Sequence, residues 1–287
     1  MSRRLIVSAD DFGMSAGVNA AVLRAHREGI LGDASLMVNG AAAAEAIELA
    51  HAAPALSVGL HLVLAQGRAT LPPRAIPDLV DAGGFFRTQP IRAALGYFFK
   101  LGVRQQVRRE VCAQIEKFLA AGLTLSHVDG HVNIHLHPTI LNLLVALSAQ
   151  YGIRAVRLTR EPLVTALRLD RRHAARKLAE GLTFNALSAY ARPRLAAQGV
   201  RHPDRLFGLH QSGHLTEAYL LRLLPRLAPG VTELYCHPAL LDAEARRWRP
   251  ANYESEAELA ALTSPRVAAR IRDLGIDRIT YRQLEAR

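Results

Sequence analysis

The sequence predicts an α/β protein built on a parallel sheet. Short apolar runs, typical of buried strands, alternate with longer segments in which apolar residues recur at helical spacing. The chain has 287 residues and is 50% apolar, which is enough for one sizeable core. About seven strands separated mostly by helices favour either a barrel or an open sheet. We expect one domain over residues 1–287, because no repeat or clear linker interrupts the pattern.

The elements follow from local signals in chain order. Predicted strands cover residues 4–9, 34–38, 57–64, 123–129, 155–159, 206–209, 231–236 and 278–281. Predicted helices cover residues 16–29, 41–51, 104–121, 138–150, 163–200, 215–228 and 256–274. Gly29 marks the end of the first helix, and Pro138 suits the first turn of the fourth. The glycines and prolines of residues 66–90 predict a long loop.

Two segments carry the positive charge of the chain. The net charge is +11; residues 87–109 hold six basic and no acidic side chains, and residues 160–205 hold ten basic and four acidic. We expect helical insertions near both segments. Residues 91–109 also contain aromatic and leucine side chains among the basic ones, a composition typical of a helix that lies on an anionic membrane surface. A nucleic-acid partner is disfavoured, because it leaves the acidic and histidine motifs without a role.

The composition also bears on the cellular compartment. No run of 18 apolar residues predicts a membrane span, and Met1–Arg4 lead directly into a strand, unlike a secretory signal. Cys112 and Cys236 are far apart and lack metal-binding spacing, which favours a reducing compartment without disulfides. We therefore expect a cytoplasmic protein, with the basic segments predicting peripheral contact with the inner face of the membrane.

Polar side chains collect at the ends of the predicted strands. In parallel α/β folds the carboxyl ends of the strands form one rim, where ligands bind. We expect the following residues to meet there: Asp10, Asp11, His61, His127, Asp129, His131 and His237.

The stretch SHVDGHVNIHLHP, residues 126–138, carries the densest of these signals. His127, Asp129 and His131 alternate, so they would face one way in an extended chain. One carboxylate and two imidazoles suit a divalent metal that keeps positions open for water and substrate. In the Asp10–Asp11 pair, one carboxylate would hold the ion while the other accepts a proton from water. A non-heme iron oxygenase with a His127–Asp129 motif is the less favoured alternative, since such sites usually lie on all-β folds.

Four motifs resemble those of the YdjC-like carbohydrate deacetylases. They are SADDFG after the first strand, VGLHL on the third, HVDGHVNIHLHP in the middle and CHPA late in the chain. Together they run from residue 5 to about residue 240, which is most of the sequence. The family's central motif commonly reads Asp-Ser-His-His-His, whereas this chain has Asp-Gly-His-Val-Asn at residues 129–133. The first histidine is kept and the two that follow it are absent.

The resemblance implies a fold and a chemistry. The fold would be an incomplete or distorted (β/α) barrel, here with a basic helical elaboration. The activity would be metal-dependent removal of the acetyl group from N-acetylated sugars. By motif, Asp11, His61 and His131 would hold the metal, Asp10 would be the general base and His237 the general acid. Zinc is the favoured ion, and magnesium, manganese, nickel and cobalt are compatible with the same residues.

A finer resemblance concerns the substrate. Residues 208–239 and the extra basic segments are similar to the hopanoid-biosynthesis-associated deacetylases. Their substrate would be an N-acetylglucosaminyl group on a hopanoid, a triterpenoid embedded in the membrane. A soluble oligosaccharide such as a chitooligosaccharide stays open as the alternative, and the sequence predicts no oligomeric state. The candidate substrate contacts are His127, Asp129, Asn133, Arg157, His210 and His214.

Overall fold

The computed structural model describes residues 2–86, residue 97 and residues 101–284, and there strands and helices alternate as predicted. The strands are β1 (Arg3–Phe12), β2 (Asp33–Leu36), β3 (Ser57–Leu62), β4 (Val128–Gly130), β5 (Arg205–Phe207), β6 (Gly230–Cys236) and β7 (Ile276–Arg278). The helices are α1 (Ala16–Glu28), α2 (Ala43–Ala52), α3 (Leu101–Ala120), α4 (Pro138–Tyr151), α5 (Leu163–Leu169), α6 (Ala174–Ala197), α7 (Glu217–Leu223), α8 (Ala243–Trp248), α9 (Ser255–Leu262) and α10 (Pro265–Asp273). A short 3₁₀ segment, His131–Leu136, follows β4.

The strands form one parallel sheet in the order β4-β3-β2-β1-β6-β5, with β7 beside the start of β1. Residues 154–157 extend the sheet beyond β4: the Val128 amide donates to the Ala155 carbonyl (2.9 Å), and the Val156 amide donates to the Arg201 carbonyl (2.9 Å). The residues that follow also contact β5, the strand at the opposite end of the sheet, because the Leu206 amide donates to the Arg160 carbonyl (3.0 Å). The sheet therefore curls into an incomplete barrel, which confirms the predicted fold class.

Two predicted helices are divided in the structure. The segment predicted as 256–274 forms α9 and α10, because Ser264 starts a new helix: its hydroxyl accepts from the Val267 amide (3.2 Å), and Pro265 occupies the first turn. The segment predicted as 163–200 forms α5 and α6. Of the predicted surface helix at residues 91–109, residues 91–96 and 98–100 lie outside the described residues, and residues 101–109 belong to α3. Across the described ranges, no helix has the length and apolar character needed to cross a membrane.

A bulge near the end of β1 sets the orientation of the acidic pair. Ala9 pairs with Ala34 and Phe12 with Leu36, so β1 holds one residue more than β2 over this stretch. Asp11 takes a left-handed backbone conformation, with φ of 67°. Aspartate tolerates this region better than most residues. Two neighbouring side chains of a regular strand would face opposite ways, and the bulge brings both carboxylates to the same pocket.

Asp33, at the base of β2, gives the fold a testable pH dependence. Burial raises the pKa of this carboxyl to about 8, although Ser57 and the Tyr281 amide oppose the rise by hydrogen bonding. The folded chain thus binds a proton here that the unfolded chain has released, so stability falls as the pH rises from about 4 to 8. Between these pH values the wild type should lose more unfolding free energy than Asp33→Asn, by about 1 kcal/mol or more. Denaturant titrations at both pH values measure it; an equal loss in wild type and variant would contradict this assignment.

Candidate active site

The carboxyl ends of four strands bring the predicted acidic and imidazole groups together. Asp10 and Asp11 end β1, His61 lies on β3, His131 follows β4 and His237 follows β6. These five side chains line one pocket of about 100 Å³. The structure therefore brings five of the seven residues predicted to meet at one rim into one pocket, and His127 and Asp129 do not line it.

Asp11, His61 and His131 have the geometry of a metal site. Asp11 Oδ1 lies 3.1 Å from His131 Nδ1 and 3.4 Å from His61 Nε2, and the three donor atoms all lie within 4.8 Å of one another. Bonds of about 2.1 Å at tetrahedral angles place donor atoms about 3.4 Å apart, so the spacing fits such an ion. Burial alone would raise the pKa of Asp11, but His131, Arg249 and His237 hold it well below its usual range, which keeps the ligand ionised.

His61 is oriented by groups on neighbouring strands. Its Nδ1 lies 2.8 Å from Asp129 Oδ1 and 3.0 Å from the Ser35 hydroxyl, which leaves Nε2 directed at Asp11. A carboxylate behind a ligating imidazole is the usual way to fix its tautomer. Burial lowers the pKa of His61, but the charges of Asp129, Asp10 and Asp11 prevail and raise it to about 9. Only the deprotonated Nε2 coordinates an ion, so binding would displace that proton.

Arg157 joins three buried carboxylates behind the pocket. Its guanidinium makes two hydrogen bonds to Asp10 (2.7 and 2.8 Å), contacts Asp129 Oδ2 at 2.8 Å and donates to Glu233 Oε1 at 2.9 and 3.0 Å. The Tyr281 hydroxyl donates to the other oxygen of Glu233 (2.6 Å). Asp10, His61 and Asp129 also have donor atoms within 4.8 Å of one another. Arg157 already supplies a cation to both of those carboxylates, which argues against a second metal there.

His237 is held through its backbone and faces Asp10. Its amide donates to Glu258 (2.5 Å), and Arg249 donates to its carbonyl (2.5 Å). His237 Nε2 lies 4.0 Å from Asp10 Oδ2. Burial lowers the pKa of His237 to about 4 despite the opposing charges of Asp11 and Asp10, so the imidazole is neutral at pH 7. Arg249 also lies 3.4 Å from Asp11 Oδ2, so a cation flanks the acidic pair on this side.

Three of the predicted substrate contacts lie behind the pocket. His127, Asp129 and Arg157 are fully buried and do not line the pocket, so the structure gives no support to the substrate contacts predicted for them. His127 stacks on Tyr281 with 3.9 Å between ring centroids, and a Cβ on Gly59 would lie only 2.4 Å from its Nδ1. The iron-site alternative is not favoured either, because the Asp129 carboxylate already pairs with Arg157 at 2.8 Å.

The other three predicted substrate contacts are divided between two cavities. Asn133 lines the pocket around Asp11 and accepts a hydrogen bond from the Thr159 hydroxyl (2.7 Å). His210 and His214 line a different cavity of about 640 Å³, beside α6 and α7. The structure does not bring these two histidines to the pocket around Asp11.

Sequence reasoning missed several residues that line the pocket around Asp11. These are Gln66, Ser212, Tyr235, Trp248, Arg249 and Tyr253. Arg249 follows the single tryptophan of the chain in a segment for which no helix was predicted. Glu233 and Arg157 did carry a signal, because a charged residue inside an apolar strand requires a buried partner of opposite charge. That Glu233 and Arg157 pair with each other could not be inferred from the sequence, because they lie 76 residues apart.

Comparison with known proteins identifies the family of the chain. The profile of the family described as YdjC-like protein matches residues 4–273, which include every residue of the pocket. The chain belongs to the YdjC-like family. It is 34% identical to a carbohydrate deacetylase of Geobacillus stearothermophilus, covering 99% of this chain and 98% of the relative. It is 30% identical to a chitooligosaccharide deacetylase of Serratia marcescens, covering 96% of each.

A solved structure shows the same architecture. The YdjC-like chain superimposes on an Enterococcus faecalis V583 protein, described as a proposed cellobiose-phosphate cleavage protein, with a TM-score of 0.76. The two are 27% identical, and the alignment covers 98% of each chain. The incomplete barrel is therefore the fold of this YdjC-like protein over nearly its whole length.

Proposed function

We propose that this protein hydrolyses the acetamide of an N-acetylated amino sugar, giving acetate and a free amine. The observation that carries the proposal is the Asp10 carboxylate next to the Asp11–His61–His131 cluster, with His237 on the other side of Asp10. Hydrolysis of an unactivated amide needs an activated water, a stabilised oxyanion and a proton for the leaving amine. Whole-length relatives that are carbohydrate and chitooligosaccharide deacetylases support the same reaction.

The residues of the chain divide the proton transfers between them. A divalent ion on Asp11, His61 and His131 would supply Lewis-acid activation of water and of the amide carbonyl. Asp10, held by Arg157, accepts the proton from the attacking water. His237 begins neutral and lies 4.0 Å from Asp10, so it relays this proton to the nitrogen of the departing amine. The carbon–nitrogen bond breaks as that nitrogen gains its proton.

Removing a ligand imidazole should remove the metal and the activity together. We expect His61→Ala and His131→Ala each to lower bound metal from about one ion per chain to near zero, with acetate release at background. Metal analysis after dialysis measures the first quantity. The control is His51→Ala, an exposed histidine whose ring nitrogen hydrogen-bonds the Ala121 carbonyl, and it should keep its metal. A His131→Ala protein that still binds the ion with wild-type affinity would refute the ligand assignment.

We further propose that the amino sugar is carried by a hopanoid in the membrane. Exposed apolar side chains on two helices that pack together support this: Val164 on α5 is 63% exposed, and Leu178 and Leu182 on α6 are 48% and 63% exposed. The neighbouring Arg171, Arg172, Arg176 and Arg168 are exposed as well. Aliphatic side chains among arginines suit an anionic lipid surface better than water. Helix α6, which carries the two exposed leucines, also packs on the segment His131–Leu136, and part of that segment lines the pocket.

A substrate comparison separates the glycolipid from soluble oligosaccharides. We expect acetate release from an N-acetylglucosaminyl hopanoid in anionic vesicles to fall about tenfold or more in the Leu178→Ser/Leu182→Ser variant. Turnover of soluble diacetylchitobiose should stay unchanged, and Leu119→Ser on α3, another exposed leucine, serves as the control. Turnover of diacetylchitobiose with no detectable turnover of the glycolipid would favour the soluble oligosaccharide instead. Failure with both substrates would refute the proposed function.

A further inference from the structure

The pocket around Asp11 is too small to hold a sugar residue. It encloses about 100 Å³, while a second cavity of about 490 Å³ lies against it. The two cavities share Gln66 and Trp248 in their walls. Sites for small molecules usually measure about 300–1,000 Å³, and water occupies about 30 Å³ per molecule in the liquid. The inner pocket therefore has room for an acetamido group, and only the outer cavity has room for a sugar ring.

We infer that the outer cavity binds the pyranose ring of the substrate, while the acetamido group passes between Gln66 and Trp248 into the inner pocket. The inference rests on the proposed function, which it extends to a binding site for the sugar. It holds for a glycolipid as well as for an oligosaccharide, since both present a pyranose ring next to the acetamido group.

The walls of the outer cavity have the chemistry of a sugar site. Trp248 and Phe85 are stacked, with 5.6 Å between ring centroids and 30° between planes. The Arg247 guanidinium lies 5.3 Å from the Phe85 centroid and 5.1 Å from the Trp248 ring. A pyranose offers C–H groups on its faces and hydroxyls at its rim, so it pairs with aromatic rings and with charged donors. Asn39 and Thr70 add polar groups to the same walls.

The position of the outer cavity fits this role. Its walls include Met14 after β1, Asn39 after β2 and Gln66 after β3, so it lies at the same end of the barrel as the metal ligands. The indole is held in place, because Trp248 Nε1 donates to Glu244 (2.7 Å). A substrate in both cavities would thus contact an indole whose orientation is already fixed by this hydrogen bond.

Trp248 makes the inference directly measurable, because it is the one tryptophan in the chain. Its fluorescence, excited where tyrosine does not absorb, reports on the wall shared by the two cavities. We expect N-acetylglucosamine and diacetylchitobiose to change this signal in a saturable way, and glycerol to leave it unchanged. The measurement needs no turnover, so it stands apart from the assay of acetate release.

Two variants and a matched control locate the binding site. We expect Phe85→Ala and Arg247→Ala to raise the Kd from the Trp248 signal about five- to tenfold. Arg246→Ala, next to Arg247 on α8 but outside both cavities, should keep the wild-type Kd. Arg247 is exposed, so its variant should fold even if Phe85→Ala does not.

The outcomes separate this inference from the proposed function. Saturable quenching or enhancement that weakens in Arg247→Ala but not in Arg246→Ala supports the sugar cavity. Acetate release without a Trp248 response at saturating substrate overturns it and leaves the deacetylase function standing. Equal Kd and KM values in wild type, Phe85→Ala and Arg247→Ala also overturn it. A Trp248 response with the expected variant pattern, but no acetate from any N-acetylated sugar, supports the cavity and refutes the function.

Discussion

Asp10→Asn is expected to lower kcat by about 10²- to 10⁴-fold while the protein keeps its metal. Asparagine can still accept one of the two hydrogen bonds from Arg157 through its remaining oxygen, but it can no longer accept a proton from water. The ligand atoms of Asp11, His61 and His131 are untouched. Acetate release and metal content, measured on the same preparation, test both halves of the prediction.

The control for Asp10→Asn is Asp277→Asn, which makes the same change at an exposed aspartate on β7. It should leave kcat within twofold of the wild-type value. Normal turnover by Asp10→Asn would assign the base to another group. Loss of metal in Asp10→Asn would instead identify Asp10 as a ligand, and the division of roles between the two neighbouring carboxylates would be wrong.

Arg157→Met is expected to cost about 3–5 kcal/mol of unfolding free energy, because it removes a buried cation from between carboxylates. Asp10, Asp129 and Glu233 would lose the group that contacts all three of them. Denaturant unfolding measures the loss. Arg154→Met, an exposed arginine three positions earlier, is the control, and it should change stability by less than about 0.5 kcal/mol.

Arg157→Lys keeps the prediction testable if the methionine variant does not fold. Lysine retains the charge but lacks the planar fork that makes two hydrogen bonds to Asp10. We expect kcat to fall about tenfold or more with little change in KM, because the base is less well positioned. If Arg157→Lys kept wild-type kcat, or if Arg157→Met unfolded with wild-type free energy, this arginine would not hold the base.

Much of the fold could be predicted because its signals are local. The helix predicted at 16–29 was found as α1 (Ala16–Glu28), and the strand predicted at 231–236 as β6 (Gly230–Cys236). The division at Ser264–Pro265 was missed, since the apolar spacing continues across it and only the capping residues mark the break. The strand predicted at 155–159 joins the sheet through isolated bridges, from Val156 to Val128 and from Ala155 to Arg201.

The site could be predicted only in part. Residues that follow strands in parallel folds meet at one rim, so Asp11, His61 and His131 could be placed together before any coordinates. Trp248, the last residue of α8, and Arg249, the residue after it, also line the pocket. The apolar spacing of the sequence did not predict α8. The structure does not support the substrate roles predicted for Arg157 and His127, because both side chains are buried. A sequence shows which side chains are polar but not which of them are enclosed by other polar groups.

The bulge of β1 holds two neighbouring carboxylates that are joined by a single peptide unit. Asp11, the proposed ligand, and Asp10, the proposed base, are consecutive residues. Any displacement of this strand therefore carries both carboxylates along, and their mutual spacing does not depend on how separate parts of the barrel pack. Substitutions in the distant core should consequently erode the thermal tolerance of the molecule well before they alter turnover by the molecules that remain folded.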